Sequence, residues 1–245
     1  MRALRNLQEQ HLLFLDIETA RCERELTPQS HMYDAFLYKA RYFNEVDKKT
    51  GLEITPEQYF HDKAALYAPF GKVICVSFGW IAGSAEEGQV IKTLNFASES
   101  EYELLSKVKT LLDKTSAAYP NKILAGFNSL SFDIPFLEKR MIVNRLEPSD
   151  LISLGDRKPW DVPHCDVGRS WRGLAMYPDS LAAVSSCLSV PSSKGGGIDG
   201  SETSEAFYSG RLQEISEYCE RDTVCTINCF RVICGREILE VNNDK

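Results

Sequence analysis

Residues 12–19, LLFLDIET, place two carboxylates at the end of a short apolar run. The run from Leu12 to Leu15 predicts a buried β-strand, and Asp16 and Glu18 follow with one residue between them. Because alternate residues of a strand point to the same face, both acids should point the same way. Like charges this close repel each other, and each is costly to bury unless a cation lies between them. The stretch predicts either a cation site or, as the simpler alternative, a pair of acids on an exposed sheet edge.

The apolar patterns predict an α/β fold, with a mixed sheet flanked by helices and a single domain over residues 1–245. Further strands are predicted at 72–81 and 89–96, as an antiparallel hairpin, at 122–127, and near 161–167. Helices are predicted at 98–114, 132–146, 179–190 and 205–240.

Local signals refine the predicted helices. Residues 20–70 are typical of a helical insertion, in which Thr55 and Pro56 begin one helix. Ser98 and Glu101 are expected to form a capping box. Asp179 or Ser180 should cap the helix at 179–190, and the Gly- and Ser-rich segment after it should be a flexible loop.

Composition excludes several classes of protein. The chain has 43% hydrophobic residues and no apolar run long enough to span a membrane, which predicts a globular, cytoplasmic protein without a signal peptide. Eight cysteines without a C-x-x-C pair indicate buried free thiols and argue against zinc or disulfides. The net charge of −7 argues against coating nucleic acid by electrostatics alone, and it predicts weak unaided binding or a helper protein.

Two later motifs add acids. In GFNSLSFD, Asn128 and Asp133 lie in a strand-to-helix connection, where a turn and a helix N-terminus are the simpler explanations. In ISEYCERD, Asp222 shares an otherwise apolar helix stripe with Tyr218, one turn earlier. A charge on a core-facing stripe is disfavoured, so either a buried salt bridge or a bound cation is expected. Four acids that converge favour a hard divalent cation, Mg²⁺ or Mn²⁺, over zinc.

Three motifs, LDIET, NSLSFD and YCERD, resemble in order and type those of the DEDD (DnaQ-like) superfamily of 3'-5' exonucleases. The tyrosine four residues before the last acid is typical of its DEDDy branch. Within that branch, the chain resembles predicted exonucleases related to the proofreading domain of family B DNA polymerases. The segments ALYAPFGKVICVSFG and KGGGIDGSE also resemble that group. The resemblance implies a ribonuclease H-like fold.

The resemblance also implies roles for individual residues. The carboxylates of Asp16, Glu18, Asp133 and Asp222 would bind two Mg²⁺ or Mn²⁺ ions. Asp16 would bridge the ions, Glu18 and Asp222 would complete one site, and Asp133 would act on the second ion through water. Tyr218, whose ordinary pKa of about 10 makes it a poor base, would orient the attacking water. Substrate contacts would come from Ile17, Thr19 and Asn128.

The implied activity is metal-dependent removal of nucleotides from single-stranded 3' ends, on DNA in preference to RNA. A replication or repair protein could deliver the substrate, and no membrane is involved. Three alternatives stay open: an exoribonuclease of the same chemistry, a non-catalytic nucleic-acid-binding or scaffold domain, and a carboxylate-metal phosphatase acting on nucleotides.

Two further features have simpler explanations. Lys194 could contact a substrate phosphate, although a solvated loop lysine is the commoner case. Aromatic residues mix with basic ones over residues 157–177, which could form a stacking surface for single strands. Core aromatics with solvated basic residues are the default reading of that mixture. The residues concerned are Trp160, Trp171, Tyr177, Arg157, Lys158, Arg169 and Arg172.

Overall fold

Five strands form one mixed sheet in the order β3-β2-β1-β4-β5. This computed structural model describes residues 2–42, 53–84, 86, 88–155, 157–158, 160–195 and 197–242. β1 is antiparallel to β2, and β2 to β3, whereas β4 is parallel to β1 and β5 to β4. The α/β class and the predicted hairpin are confirmed. The strands are β1 (Leu12–Arg21), β2 (Gly71–Ser84), β3 (Gly88–Ala97), β4 (Ile123–Gly126) and β5 (Cys165–Asp166).

Helices follow most of the predicted segments. They are α1 (Arg2–Arg5), α2 (Tyr33–Ala40), α3 (Pro56–Lys63), α4 (Glu101–Ala118), α5 (Asp133–Val143), α6 (Val167–Arg172), α7 (Leu181–Cys187), α8 (Thr203–Tyr208) and α9 (Leu212–Ile233). Short 3-10 turns lie at Glu9–His11, Ala64–Leu66 and Gly200–Glu202. Within the described residues, no helix is both long and apolar enough to cross a membrane.

β1 separates two apolar clusters, one on each face of the sheet. Its residues Leu13, Leu15 and Ile17 pack with α4 and α5. Leu12 and Phe14 pack with α9 on the other face, where the Phe14 and Phe230 ring centroids are 5.5 Å apart. Since side chains alternate along a strand, the next even-numbered residues of β1 also face α9. The apolar pattern of β1 therefore decides which helix its two acids meet.

Close contact between α9 and the sheet depends on a small residue in β2. A side-chain carbon added at Gly79 would lie 2.8 Å from the side chains of both Thr223 and Ile227. Such a distance is well inside ordinary van der Waals contact, so only glycine lets α9 pack this near to β2 without a shift.

The helix starts were predicted with mixed success. Thr55 caps α3 in a capping box with Gln58, and Ser180 caps α7, as expected. The predicted capping box of Ser98 and Glu101 is wrong. Ser100 caps α4, and the Glu101 carboxylate instead accepts hydrogen bonds from the Val73 backbone and the Arg140 guanidinium. A tertiary ion pair has displaced the local contact.

The ends of two predicted segments also differ. The region 205–240 contains parts of two helices. Gly210 has a φ of 75°, which is incompatible with a right-handed helix, and it separates α8 from α9. Helix α9 ends at Ile233, and the backbone turns at Gly235 with a φ of 78°. In the predicted insertion, α2 and α3 are helical, whereas residues 43–52 lie outside the described part of the chain.

Candidate active site

Three carboxylates from two elements meet on the α9 side of the sheet. Asp16 and Glu18 extend from β1, and Asp222 comes from α9, on the stripe that faces the sheet. One oxygen of each lies within 4.8 Å of one oxygen of each of the others. Glu18 is buried, and the other two are half-buried. The alternative of an exposed edge pair for Asp16 and Glu18 is therefore wrong.

Asp133 is buried beside this cluster. It begins α5, as the simpler reading of its motif expected, but its side chain does not cap that helix. Its Oδ1 accepts a hydrogen bond of 3.1 Å from the backbone N–H of Ile17, the residue between the two acids of β1. The fourth acid is thus fixed next to the other three, although it lies outside the 4.8 Å group.

Hydrogen bonds from neighbouring side chains hold the acids in place. The Cys219 thiol donates to Asp16 Oδ2 at 3.4 Å, and the Thr203 hydroxyl donates to Glu18 Oε2 at 3.2 Å. Asp222 accepts hydrogen bonds from the side chains of Ser193 and Tyr218. These three donors, Cys219, Thr203 and Ser193, were missed at the sequence level. Cys219 directly follows Tyr218 in its motif, whereas no local pattern marks Thr203 or Ser193.

Burial and mutual repulsion make ionisation of these acids costly. Burial raises the pKa of Asp16 well above its usual value, and the charges of Asp133, Glu18 and Asp222 raise it further. Burial likewise raises the pKa of Glu18 and of Asp222. The pKa of Asp133 rises to about 7, mainly through burial. Clusters of acids with perturbed pKa values are typical of functional sites.

The donor set fits a hard divalent cation. Within the described residues, none of the four acids forms an ion pair with a lysine or arginine, whereas the buried Arg140 and Arg231 are paired with glutamates. The alternative of a buried salt bridge for Asp222 is therefore wrong. The charges of Lys194 and Arg221 lower the pKa of Asp222 without an ion pair to it. A group of carboxylate oxygens is the ligand set that Mg²⁺ and Mn²⁺ prefer.

Tyr218 is buried against the same cluster. Burial raises the pKa of its hydroxyl far above the usual value, and the charges of Asp222 and Glu18 add to this. The hydroxyl therefore stays protonated at neutral pH and donates its proton to the Asp222 carboxylate. Its oxygen retains lone pairs that can accept a hydrogen bond from a water molecule.

Of the three residues expected to bind substrate, two are buried and one is exposed. Ile17 packs in the apolar cluster, and the Thr19 hydroxyl donates to the Ala65 carbonyl at 2.8 Å. Both are almost fully buried, so little of either side chain is open to a ligand. Asn128 is exposed and has a left-handed backbone with a φ of 60°. It supports a turn, as the simpler reading of its motif expected, and its side chain is free to face a ligand.

Asp166 supports the turn at Asn128 and has no counterpart in the predictions. Its buried carboxylate accepts backbone hydrogen bonds from Asn128 at 3.0 Å, Leu130 at 3.2 Å and Arg169 at 2.8 Å. It therefore ties the loop after β4 to the start of α6. A lone aspartate at the end of a two-residue strand gives too weak a signal to be found from sequence.

The other residues singled out in the sequence differ in whether their simpler explanation holds. Lys194 forms an ion pair of 2.7 Å with Asp199 on the loop before α8. Trp171 packs against apolar residues and donates its indole N–H to Asp179, as the default reading expected. Trp160 and Tyr177 are 76% and 77% exposed, so that reading is wrong for these two aromatics. Among the cysteines, Cys187 is exposed, and all eight are free thiols.

Comparison with known proteins identifies the family. Residues 65–239 match a family described as predicted 3'-5' exonucleases related to the exonuclease domain of PolB. The chain belongs to this family. Asp133, Tyr218 and Asp222 lie within the matched residues, whereas Asp16 and Glu18 precede them and join the site only through the fold.

A solved structure shows the same fold. The chain is similar to the family B DNA polymerase from the hyperthermophilic archaeon Pyrobaculum calidifontis, with a TM-score of 0.54 and 13% sequence identity. The similarity covers 88% of this chain and 23% of that polymerase, so the chain spans about a quarter of the polymerase's length. It confirms a ribonuclease H-like α/β fold. No curated protein matches the chain.

Proposed function

We propose that this chain is a divalent-metal-dependent 3'-5' exonuclease that hydrolyses single-stranded nucleic acid, DNA in preference to RNA. The observation that carries the proposal is the meeting of Asp16, Glu18 and Asp222 oxygens within 4.8 Å, without an ion pair among the described residues. In a member of a predicted exonuclease family, such a cluster is best explained by catalysis.

The chain's own residues would prepare the site for hydrolysis. When bound, two divalent ions would polarise the scissile phosphate and make a nearby water more acidic. Asp16, Glu18 and Asp222 would hold these ions, and Asp133 would lie next to them. The hydrogen bonds from Cys219 and Thr203 would fix the orientation of the carboxylates before the ions arrive.

Tyr218 would position the attacking water and would not remove its proton. Its raised pKa keeps the hydroxyl neutral, and its proton is already donated to Asp222. The remaining lone pairs can accept one hydrogen bond from the water, which restricts the direction of attack. This role predicts a loss of rate without a loss of metal affinity when the hydroxyl is removed.

A 5'-labelled oligonucleotide, in DNA and RNA forms, tests the proposal. With Mg²⁺ or Mn²⁺, the wild-type chain should give a ladder of shortened products, and EDTA should abolish it. Asp16→Ala should lose the activity, whereas Asp113→Asn, at an exposed acid on α4, should keep it.

The same gel separates the alternative functions. Faster loss of the RNA would favour the exoribonuclease. Removal of a terminal phosphate alone would indicate a phosphatase, and a mobility shift without cleavage would indicate a binding domain. Intact DNA and RNA with either metal would contradict the proposed hydrolysis.

A further inference from the structure

A groove of about 390 Å³ opens at the carboxyl ends of β4 and β5. One side is formed by the loop after β4, and the other by α6 and the segment that leads into α7. Residues that line it include Asn128, Ser131, Arg169, Arg172, Pro178 and Ser180. No role proposed so far uses this groove, apart from the substrate contact expected of Asn128.

Two arginines of the groove have no side-chain partner among the described residues. Arg169 and Arg172 are exposed, and neither guanidinium forms a hydrogen bond or ion pair with a described residue. Elsewhere, buried arginines are bound to glutamates, as in Arg140–Glu101 and Arg231–Glu9. The groove also contains Asp179, whose carboxylate accepts the Trp171 indole N–H, so the three charged side chains of the groove have a formal sum of +1. Within a chain of net charge −7, this groove therefore has a net positive charge.

The segment between Arg172 and Pro178 is unusually exposed for its composition. Leu174, Met176 and Tyr177 have exposed fractions of 105%, 82% and 77%. Both ends of this segment are groove residues, so it borders the groove. A flat aromatic ring beside unpaired arginines is the combination with which proteins bind single-stranded nucleic acid. Charge complementarity therefore favours a polyanionic strand over an apolar protein partner.

One buried carboxylate holds the two walls of the groove together. The Asp166 carboxylate accepts backbone N–H groups from both walls, at Asn128 and Arg169. Since β4 pairs with β1 and β5 follows β4 in the sheet order, the groove lies one to two strand spacings, about 5 to 10 Å, from the strand that carries Asp16. A strand whose 3' end lies at the carboxylates would reach it with its upstream nucleotides.

We propose that this groove binds the upstream part of the substrate strand. Arg169 and Arg172 bind its phosphates, and Tyr177 stacks on a base. The inference rests on the proposed exonuclease function and extends it, because it names positioning residues outside the carboxylate cluster.

Fluorescence anisotropy, with Ca²⁺ in place of Mg²⁺ or Mn²⁺, measures the affinity of the groove for single strands. The probes are a labelled oligothymidylate and a labelled oligouridylate of about twelve nucleotides each. Arg169→Ala/Arg172→Ala should weaken binding about tenfold or more at low salt. The slope of log affinity against log salt should fall by about 1.4, since each phosphate contact to a single strand contributes about 0.7. Lys107→Ala/Lys114→Ala removes two exposed lysines from α4 and should change neither affinity nor slope.

Tyr177→Ala tests stacking separately. It should weaken binding at least fivefold with the salt slope unchanged, and Tyr177→Phe should restore affinity. Circular dichroism melting of every variant confirms that it is folded.

Several results would overturn the inference. The inference is wrong if the wild-type chain does not bind either oligonucleotide, or if the double arginine variant has wild-type affinity and salt slope. It is also wrong if the lysine control loses as much affinity as the double arginine variant. Wild-type affinity in Tyr177→Ala would remove the stacking contact. Failure of the proposed function is a separate result: the groove variants would still lose binding, but the wild-type chain would not cleave either oligonucleotide with Mg²⁺ or Mn²⁺.

Discussion

At the scale of single residues, the candidate site is a cluster of acids that the fold alone would disfavour. Four carboxylates are placed together, and burial raises the pKa of each, with repulsion from other acids adding to the rise for Asp16, Glu18 and Asp133. A structural role would instead pair each acid with a cation, as the chain does at Arg140 and Arg231. The acids therefore lower the stability of the folded chain, and they allow it to bind a ligand of opposite charge.

Tyr218→Phe separates the role of the hydroxyl from metal binding. The variant should bind Mn²⁺ as the wild type does, and its hydrolysis rate should fall on the order of 100-fold, because the water is no longer oriented. Calorimetry measures the first quantity and the oligonucleotide gel the second. Tyr102→Phe, at an exposed tyrosine on α4, is the matched control. Loss of Mn²⁺ affinity in Tyr218→Phe would mean that the assigned role is wrong.

The pKa of Asp133 predicts a pH dependence of stability with a definite sign. Its folded-state pKa of about 7 is above the ordinary value of 3.8, so between these pH values the folded chain keeps a proton that the unfolded chain releases. The stability from this group is present below about pH 4 and is lost as the pH rises through 7, by at most about 4 kcal/mol.

Asp133→Asn isolates that contribution, because the amide does not titrate and its oxygen can still accept from Ile17. In metal-free buffer, the melting temperature of the variant relative to wild type should rise between pH 4.5 and 7.5. Divalent metal should stabilise the wild type more at the upper end of this range, since protons no longer compete with it. A difference between the two chains that does not change with pH would refute the raised pKa.

At the scale of elements, alternation along β1 explains how the sequence could reveal part of the site. The sequence predicts that Asp16 and Glu18 share one face of β1, and the packing of Leu12 and Phe14 shows that this face is the one toward α9. The apolar stripe of α9 likewise placed Asp222 toward the sheet. Periodicity thus predicted the orientations, but only the fold shows that the two elements meet. Side chains from separate elements that hold the acids, such as Thr203, leave no periodic signal.

Asp166→Ala tests how the elements after β4 and β5 are joined. The carboxylate accepts three backbone N–H groups, so its removal should lower the free energy of unfolding by about 3 kcal/mol or more. Asp179→Ala, which removes one exposed hydrogen bond to Trp171, should cost about 1 kcal/mol. Urea denaturation compares them. Equal costs for the two variants would show that Asp166 does not hold the elements together.

At the scale of the whole molecule, the net charge and the local distribution of charge point in different directions. The value of −7 argues against coating nucleic acid by electrostatics alone, whereas one groove contains two arginines that have no ion pair with a described residue. Motif order was more informative, since it predicted the family that the comparison shows. The groove could not be predicted, because α6 and the loop after β4 are brought together by the fold.

Anomalous diffraction from a Mn²⁺-soaked crystal tests the central claim most directly. Peaks for manganese should appear at the oxygens of Asp16, Glu18 and Asp222, with a second peak on the Asp133 side of Asp16. In Asp16→Ala, the peaks should be lost while the backbone of β1 and α9 is unchanged. Wild-type crystals without manganese at these carboxylates, at a metal concentration that supports hydrolysis, would contradict the proposed site.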